Sequence, residues 1–292
     1  MCGIIGIASN KSVSMNIINS LKKLEYRGYD SAGLATLNNN EINEKKCSGR
    51  VEQLEKILFK TSAEGNLGIG HVRWATHGVP NTINAHPHST EIVSVVHNGI
   101  IENSNDLKKQ LELKGLKFKS QTDTEVITLL LTNELKIHQP LDAVHKTLKQ
   151  LKGSFALGII FKNFEDIIIG ARRGSPLAVG YSKDENYLGS DSYALKTMTN
   201  KISYLDDGDI CVLTKDNVSF YDVKKNKINK EVFILSDDKN ISDKGDYKNF
   251  MSKEIFEQPI TAKNCIHEYV DKIRNDINFY NFPIKPQSIN KI

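Results

Sequence analysis

Cys2-Gly3-Ile4-Ile5-Gly6-Ile7-Ala8 opens the chain directly behind Met1. An apolar run of this length, interrupted by small glycines, predicts a buried strand. Chain ends usually fray at the surface, so an apolar strand that starts at residue 2 is itself informative. A small residue at position 2 lets the initiator methionine be trimmed, which frees the Cys2 α-amine. That amine has an ordinary pKa of about 7.7–8.0, so a useful fraction is neutral near pH 7. A neutral amine beside a thiol can act as its general base, which places nucleophile and base on one residue. The competing reading is a chain that merely begins Met-Cys, and position alone favours it.

The bulk numbers bound the rest. The chain has 292 residues, 39% apolar and 25% charged, with a formal charge of +4. This is ordinary for a globular protein and enough for one large domain or two modest ones. The lysines clustered at 108–119 and 224–230 read as solvated faces. No aromatic residues interleave with base-reaching arginines, so no nucleic-acid partner is expected. No apolar run approaches the roughly 18–20 residues of a membrane span. No signal-peptide pattern precedes Ile4, and position 2 is not a myristoyl-accepting glycine. No membrane partner and a cytoplasmic location are expected. The four cysteines are too scattered for a zinc knuckle or redox pair, and free thiols are expected. Cys47, Cys211 and Cys265 read as small apolar side chains.

Working outward, Val13–Leu24 has helical spacing with Ser12 or Ser14 as N-cap candidates. Strands are expected near Ser31–Leu37, Ile42–Cys47, Gly68–Val72 and Ile92–His97. Helices are expected at Val51–Phe59, Asn105–Leu113, Asp123–Leu135 and Pro140–Leu151. Thr122 caps the third of these in this reading, with Glu125 as its partner. Strands dominate from Ser154 to Leu235, and a last helix spans Ser252 to Arg274. Strands with helices grouped in blocks predict an α+β or layered α/β/β/α fold rather than βαβ units. The main domain is placed at residues 2–240, with 241–292 as a helix and linker.

Four motifs carry chemistry. Cys2 is the first. The second is the loop after Gly68–Val72, where Arg73 offers a planar fork suited to a carboxylate. Thr76 and His77 add polar groups there. In the third, Val95-Val96-His97-Asn98-Gly99-Ile100, a strand ending at Asn98-Gly99 can aim an amide and a bare N–H at one point, as an oxyanion requires. Taken alone, Asn-Gly reads first as a β-turn. In the fourth, Gln121-Thr122-Asp123-Thr124-Glu125, the acids read as helix-start complements. For Asp123, binding of an α-ammonium competes evenly with that role. His71, His86, His88 and His97 read as structural or supporting. A metal at His86 and His88 is a weak alternative, with no acidic third ligand nearby.

The joint order of these segments, with Leu24-Glu25-Tyr26-Arg27-Gly28-Tyr29-Asp30-Ser31-Ala32-Gly33 among them, resembles the class II glutamine amidotransferases. The runs Glu25–Gly33, Arg73–Gly78 and Lys253-Glu254-Ile255-Phe256-Glu257-Gln258-Pro259 are most similar to the glutamine–fructose-6-phosphate aminotransferase (glucosamine-6-phosphate synthase) branch. The resemblance covers residues 2 to about 265. It implies the four-layer αββα N-terminal nucleophile hydrolase fold and hydrolysis of glutamine to glutamate and ammonia. Carried over residue by residue, Cys2 is the nucleophile, and Asn98 with the Gly99 N–H forms the oxyanion hole. Arg73 grips the α-carboxylate with Thr76 and His77 in its loop. Asp123 binds the α-ammonium, Trp74 gates an ammonia passage, and Arg27 lies in a flap. No metal or organic cofactor is implied. The family enzyme continues into sugar-phosphate isomerase repeats that bind fructose 6-phosphate. This sequence stops at Ile292, in what resembles the connecting segment, so fructose 6-phosphate would be a partner only through the isomerase domain it lacks. A homodimer is allowed for the full-length enzyme. The alternatives are the glutaminase domain of another class II amidotransferase, and a non-catalytic glutamine-binding or interaction module.

Overall fold

The computed structural model describes residues 2–76, 78–235, 246–248, 250–271 and 276–277. Expectations that fall on His77, on 237–245 and on the tail beyond 277 lie outside the described residues. The chain divides into two compact units, Met1–Asp237 and Asp238–Ile292.

The first unit begins with β1 (Gly3–Ser9), α1 (Ser14–Leu24) and a 3-10 turn at Glu25–Arg27. Next come β2 (Ser31–Asn38), β3 (Glu41–Ser48), α2 (Val51–Lys60), β4 (Leu67–Arg73), β5 (His88–Ser89) and β6 (Val93–Ile101). Three helices follow, α3 (Ser104–Leu113), α4 (Thr124–Glu134) and α5 (Pro140–Gln150). Then come β7 (Gly153–Phe161), β8 (Phe164–Arg173), β9 (Ala178–Tyr181), β10 (Glu185–Gly189) and the short α6 (Ser192–Leu195). The unit closes with β11 (Lys201–Tyr204), β12 (Ile210–Leu213), β13 (Val218–Tyr221), β14 (Lys227–Ile228) and β15 (Phe233–Ile234).

The strands form two sheets, ordered β15-β11-β9-β10-β1-β4-β2-β3 and β14-β13-β12-β8-β7-β6-β5. Side chains alternate along a strand, and that alternation builds the layers. Ile5 and Ile7 of β1 pack with Ile17, Leu21 and Leu54 under α1 and α2. Ile4 and Ala8 of the same strand face Val96, Ala156 and Ile160 of the opposite sheet. On β7, Phe155, Leu157 and Ile159 turn the other way, toward Val126, Leu130 and Val144 of α4 and α5. The result is helices, sheet, sheet and helices, the expected four-layer αββα arrangement. β1 sits inside its sheet, antiparallel to β4 on one side and β10 on the other.

Element starts differ from the sequence reading in instructive ways. Val13 holds the N-cap position of α1, while the Ser14 hydroxyl donates to the Ala63 carbonyl. Neither serine caps the helix. α4 begins at Thr124, with Asp123 at the N-cap and no side-chain cap. Thr122 pairs with Ser120 and His88 instead. Glu125 reaches back to the N–H groups of Lys119 and Ser120 at 2.8 and 2.6 Å.

In the second unit, α7 (Phe250–Tyr269) carries Pro259 in its interior. It ends earlier than expected, because β16 (Val270–Asp271) pairs with β17 (Asp276–Ile277), and β-branched Val270 suits that pairing. Cys265 is exposed rather than packed, whereas Cys47 and Cys211 are buried.

Candidate active site

Cys2 precedes the first paired residue of β1, since Gly3 already registers with Val72. Its sulfur lies against the backbone just past β4. The Trp74 N–H donates to Sγ at 3.3 Å, and Sγ is 3.5 Å from the Trp74 carbonyl oxygen. Burial pushes the Cys2 thiol up, Asp123 adds to the rise, and the Trp74 N–H, the chain-terminal amine and Arg73 oppose it. Arg73 is buried, at 3% exposure. Burial lowers its pKa, while Cys2, Asp123 and Asp30 hold it up. One cation, one thiol and two carboxylates therefore share a weakly solvated space, where charges act strongly on each other.

The run Glu25–Gly33 builds the scaffold for this loop. Glu25 accepts the Val51 N–H at 2.7 Å and so caps α2 from a distant segment, complementing the helix N-terminus. A Cβ placed on Gly28 would meet the Arg73 carbonyl carbon and the Trp74 nitrogen, both at 2.6 Å. Only glycine lets the two backbones approach so closely. The Asp30 N–H donates to the Arg73 carbonyl at 3.0 Å, and Asp30 Oδ2 accepts the Ala75 N–H at 2.8 Å. Segments 28–31 and 73–75 are thereby zipped together. Trp74 is 48% exposed and meets Tyr29 edge-on, with centroids 6.5 Å apart. Thr76 is exposed in the same loop.

Asn98-Gly99 is not a turn. β6 continues through both residues, pairing Asn98 with Ala156 and Gly99 with Phe155. Gly99 has φ +129°, and a Cβ there would fall 2.0 Å from the Ser154 carbonyl oxygen. The dipeptide thus marks a strained strand position that excludes any side chain. Asn98 Nδ2 donates to the Cys2 carbonyl at 3.0 Å and to Ser190 Oγ at 2.9 Å. Its Oδ1 is 3.0 Å from His71 Nε2. Ser190 also accepts the Ile4 N–H at 2.6 Å, which ties β1 to the same hydroxyl.

Asp123 Oδ2 accepts the Ile101 N–H at 2.8 Å, and its Oδ1 lies 4.0 Å from His97 Nδ1. Cys2, Arg73, Trp74, Asn98, Gly99 and Asp123 therefore gather around the end of β1. Arg27 is held differently. Its Nε lies 2.8 Å from Asp191 Oδ2, and the Tyr26 hydroxyl donates to that oxygen at 2.7 Å. Asp191 in turn caps α6 through the Ala194 N–H at 2.9 Å.

Sequence reasoning missed Asp30, Ser190 and Asp191. Asp30 lies inside a motif already singled out, but nothing local marks its carboxylate as a loop anchor. Ser190 is 186 residues from Ile4, beyond any local signal. Sequence reasoning also left the four histidines as separate structural residues, and they form one buried group. His71 and His86 have ring centroids 4.2 Å apart, and His86 and His88 are 4.9 Å apart. His86 Nε2 and His97 Nδ1 both reach Thr124 Oγ1, at 2.7 and 2.9 Å. Burial pulls His71 down to about 3 and His86 and His88 well below the usual imidazole range. Among the described residues there is no group of three or more His, Cys, Asp or Glu able to hold a metal ion. No helix among them is long and apolar enough to cross a membrane.

The chain is similar to known proteins over most of its length. A family profile described as "Glutamine amidotransferase domain" matches residues 79–197. A Zymomonas mobilis protein named glutamine–fructose-6-phosphate aminotransferase (isomerizing) is 44% identical over 278 residues, covering 95% of this chain and 46% of that protein. The Brucella abortus protein of the same name is 48% identical over 272 residues, covering 93% of this chain and 45% of its own length. The chain thus spans about half the length of the curated relatives it matches. Among solved structures, one described as the allosteric regulatory enzyme of purine biosynthesis aligns with TM-score 0.67 and 25% identity, over 77% of this chain and 50% of its own. A Silicibacter pomeroyi glutamine aminotransferase class-II domain protein aligns with TM-score 0.55 at 15% identity, over 76% of this chain and 99% of its own, a likeness of fold. With the N-terminal nucleophile hydrolase fold in place and this similarity extending over nearly the whole chain, the chain carries a class II glutamine amidotransferase domain.

Proposed function

We propose that the chain hydrolyses the side-chain amide of glutamine, with Cys2 as nucleophile once Met1 is removed. The observation that carries this reading is the seat of the Cys2 sulfur against the Trp74 backbone, beside Arg73 and within the influence of Asp123. Arg73 supplies a guanidinium for the substrate α-carboxylate, and Asp123 supplies a carboxylate for the α-ammonium. The substrate's two charges replace the charges these residues now offer each other.

The free α-amine takes the thiol proton as the sulfur attacks the amide carbon. Charge then collects on the amide oxygen. Asn98 Nδ2 and the Gly99 N–H serve as its donors, and Asn98 gives up one of its present acceptors to do so. The α-ammonium returns the proton to the leaving nitrogen, and ammonia departs. Water, deprotonated by the same amine, cleaves the γ-glutamyl thioester and releases glutamate. Trp74, Thr76 and the Tyr26–Arg27 turn flank this chemistry and control access to it. The roles of residues 2–240 as the hydrolytic domain and of 241–292 as a connection belong to this reading.

The high identity to proteins named for fructose 6-phosphate supports a further step, transfer of the released ammonia to that sugar phosphate by a separate isomerase domain. The test is release of ammonia and glutamate from glutamine by the untagged protein, with intact mass recorded on the same sample. Equal release of both products with Met1 absent is expected. No release by trimmed, folded protein would overturn the reading. Ammonia transfer is tested by adding an isomerase domain and fructose 6-phosphate, and glucosamine 6-phosphate is the expected product.

A further inference from the structure

We infer that His71 is a positioning residue for the reaction, a neutral Nε2–H imidazole that anchors the Asn98 amide by its oxygen while the nitrogen end exchanges partners during turnover. The inference rests on the glutaminase reading above and adds a residue to it.

The argument starts from hydrogen-bond polarity. The Cys2 carbonyl can only accept, so the Asn98 atom 3.0 Å from it is the NH2 nitrogen. The other end of the amide is then an oxygen, and it lies 3.0 Å from His71 Nε2. His71 Nε2 is also 3.0 Å from the His97 carbonyl oxygen. A ring nitrogen that faces two acceptors must carry the hydrogen. His71 Nδ1 is buried and has no hydrogen-bond partner among the described residues. A bare lone pair there costs less than an unpaired N–H or a full charge. Geometry therefore fixes both tautomer and charge. The same logic extends one step. His86 Nδ1 also lacks a partner among the described residues, so its Nε2 donates to Thr124 Oγ1. His71 and His86, with ring centroids 4.2 Å apart, form a neutral bed behind Asn98.

The consequence concerns what must stay and what must move. Both hydrogens of Asn98 Nδ2 are occupied, by the Cys2 carbonyl and by Ser190 Oγ. To meet a developing oxyanion, the nitrogen must leave one of them. His71 is the contact that persists during that exchange. By donating to the amide oxygen, it also makes the NH2 group a stronger donor. The histidine touches no reacting atom and acts through Asn98.

The test uses the trimmed full chain and three readouts. His71→Phe keeps the ring volume and removes the donor. His71→Gln restores an N–H close to the Nε2 position. For His71→Phe, kcat for glutamine hydrolysis should fall about tenfold or more, short of the roughly hundred- to thousandfold loss of a whole oxyanion donor. KM should stay within about twofold, because binding of the zwitterion does not use Asn98. The rate of Cys2 alkylation by iodoacetamide, a displacement that forms no oxyanion, should be unchanged. His71→Gln should recover most of kcat.

Unchanged kcat in His71→Phe would overturn the inference, as would equal loss of alkylation or a Gln variant no better than Phe. If the variants fail to fold, nitrogen-15 spectra of the native protein decide. A neutral His71 protonated at Nε2 is expected, and an Nδ1–H or charged ring would overturn the inference. Failure of the glutaminase reading is distinct, because it would show as absence of turnover in the unmutated protein.

Discussion

Gly28→Ala makes a sharp prediction, because it adds one methyl group to a place with no room for it. The new Cβ would meet the Arg73 carbonyl carbon and the Trp74 nitrogen at 2.6 Å, and the Arg73 carbonyl oxygen at 2.8 Å. Ordinary carbon contacts lie at about 3.5–4.0 Å, so the two segments must part by about 1 Å. The obstruction is backbone and cannot swing aside. Overpacking of this kind costs about 1–3 kcal/mol of stability.

The same displacement carries the Trp74 N–H away from Cys2 Sγ, now 3.3 Å away. A shift of about 1 Å at a reacting group costs up to about a hundredfold in rate. Gly28→Ala should therefore lower kcat/KM for glutamine by about 10- to 100-fold. Gly49→Ala is the control. Gly49 has φ +83°, but a Cβ there meets nothing within 4 Å. It should cost about 1–2 kcal/mol through backbone strain alone and leave turnover intact. The assay pairs glutamate release with thermal unfolding of all three proteins. If Gly28→Ala retains kcat/KM within twofold, the Arg73–Trp74 peptide is not the part of the site that sets the rate.

Other outcomes follow from the same geometry. Cys2→Ala should abolish hydrolysis while calorimetry still detects glutamine binding. Full activity in that variant would remove the nucleophile assignment. Asp123→Ala should raise KM for glutamine at least tenfold by removing the ammonium partner. It should also destabilise the fold by about 1–3 kcal/mol, because the buried Ile101 N–H loses its acceptor. Protein that retains Met1 should alkylate slowly at Cys2 at pH 7, with a rate that climbs with pH through 9, since burial holds the thiol protonated. Stability should fall in acid. His71, His86 and His88 stay neutral in the fold, whereas the unfolded chain protonates below about pH 6.5. Their contribution is complete above that pH. Each histidine then loses up to about 1.4 kcal/mol per pH unit as pH falls, for His71 down to about pH 3. Urea midpoints measured from pH 7 to pH 4 would show this slope, and a flat profile would refute neutral burial.

Much of the architecture was legible because its signals are periodic. The continuous apolar runs of β1 and β7 and the apolar stripe of α1 follow directly from residue order. The candidate site was legible where a residue type is itself unusual, as with a cysteine at position 2 or a glycine after Asn98. Even there the local rule misled, since Asn98-Gly99 continues a strand whose partner β7 lies more than 50 residues downstream. Helix caps were misplaced for a related reason. Ser14 and Thr122 have capping chemistry but spend their hydroxyls on Ala63, Ser120 and His88. The contacts that aim the site, Asp30 on Ala75 and Ser190 on Asn98 and Ile4, join segments by tertiary proximity. No pattern within a window of sequence encodes them.

The register of β1 has one more consequence. Gly3 is already paired with Val72, so the sulfur sits on the residue immediately before a strand that is flanked on both sides from Ile5 onward. The Cys2 thiol is a fixed datum, with little freedom beyond rotation about its own Cα–Cβ bond. The segment after Arg73, with Trp74 and Thr76 turned to solvent, is the adjustable part. Substitutions there can retune which molecules reach the thiol, and how long they stay, without recalibrating the thiol itself.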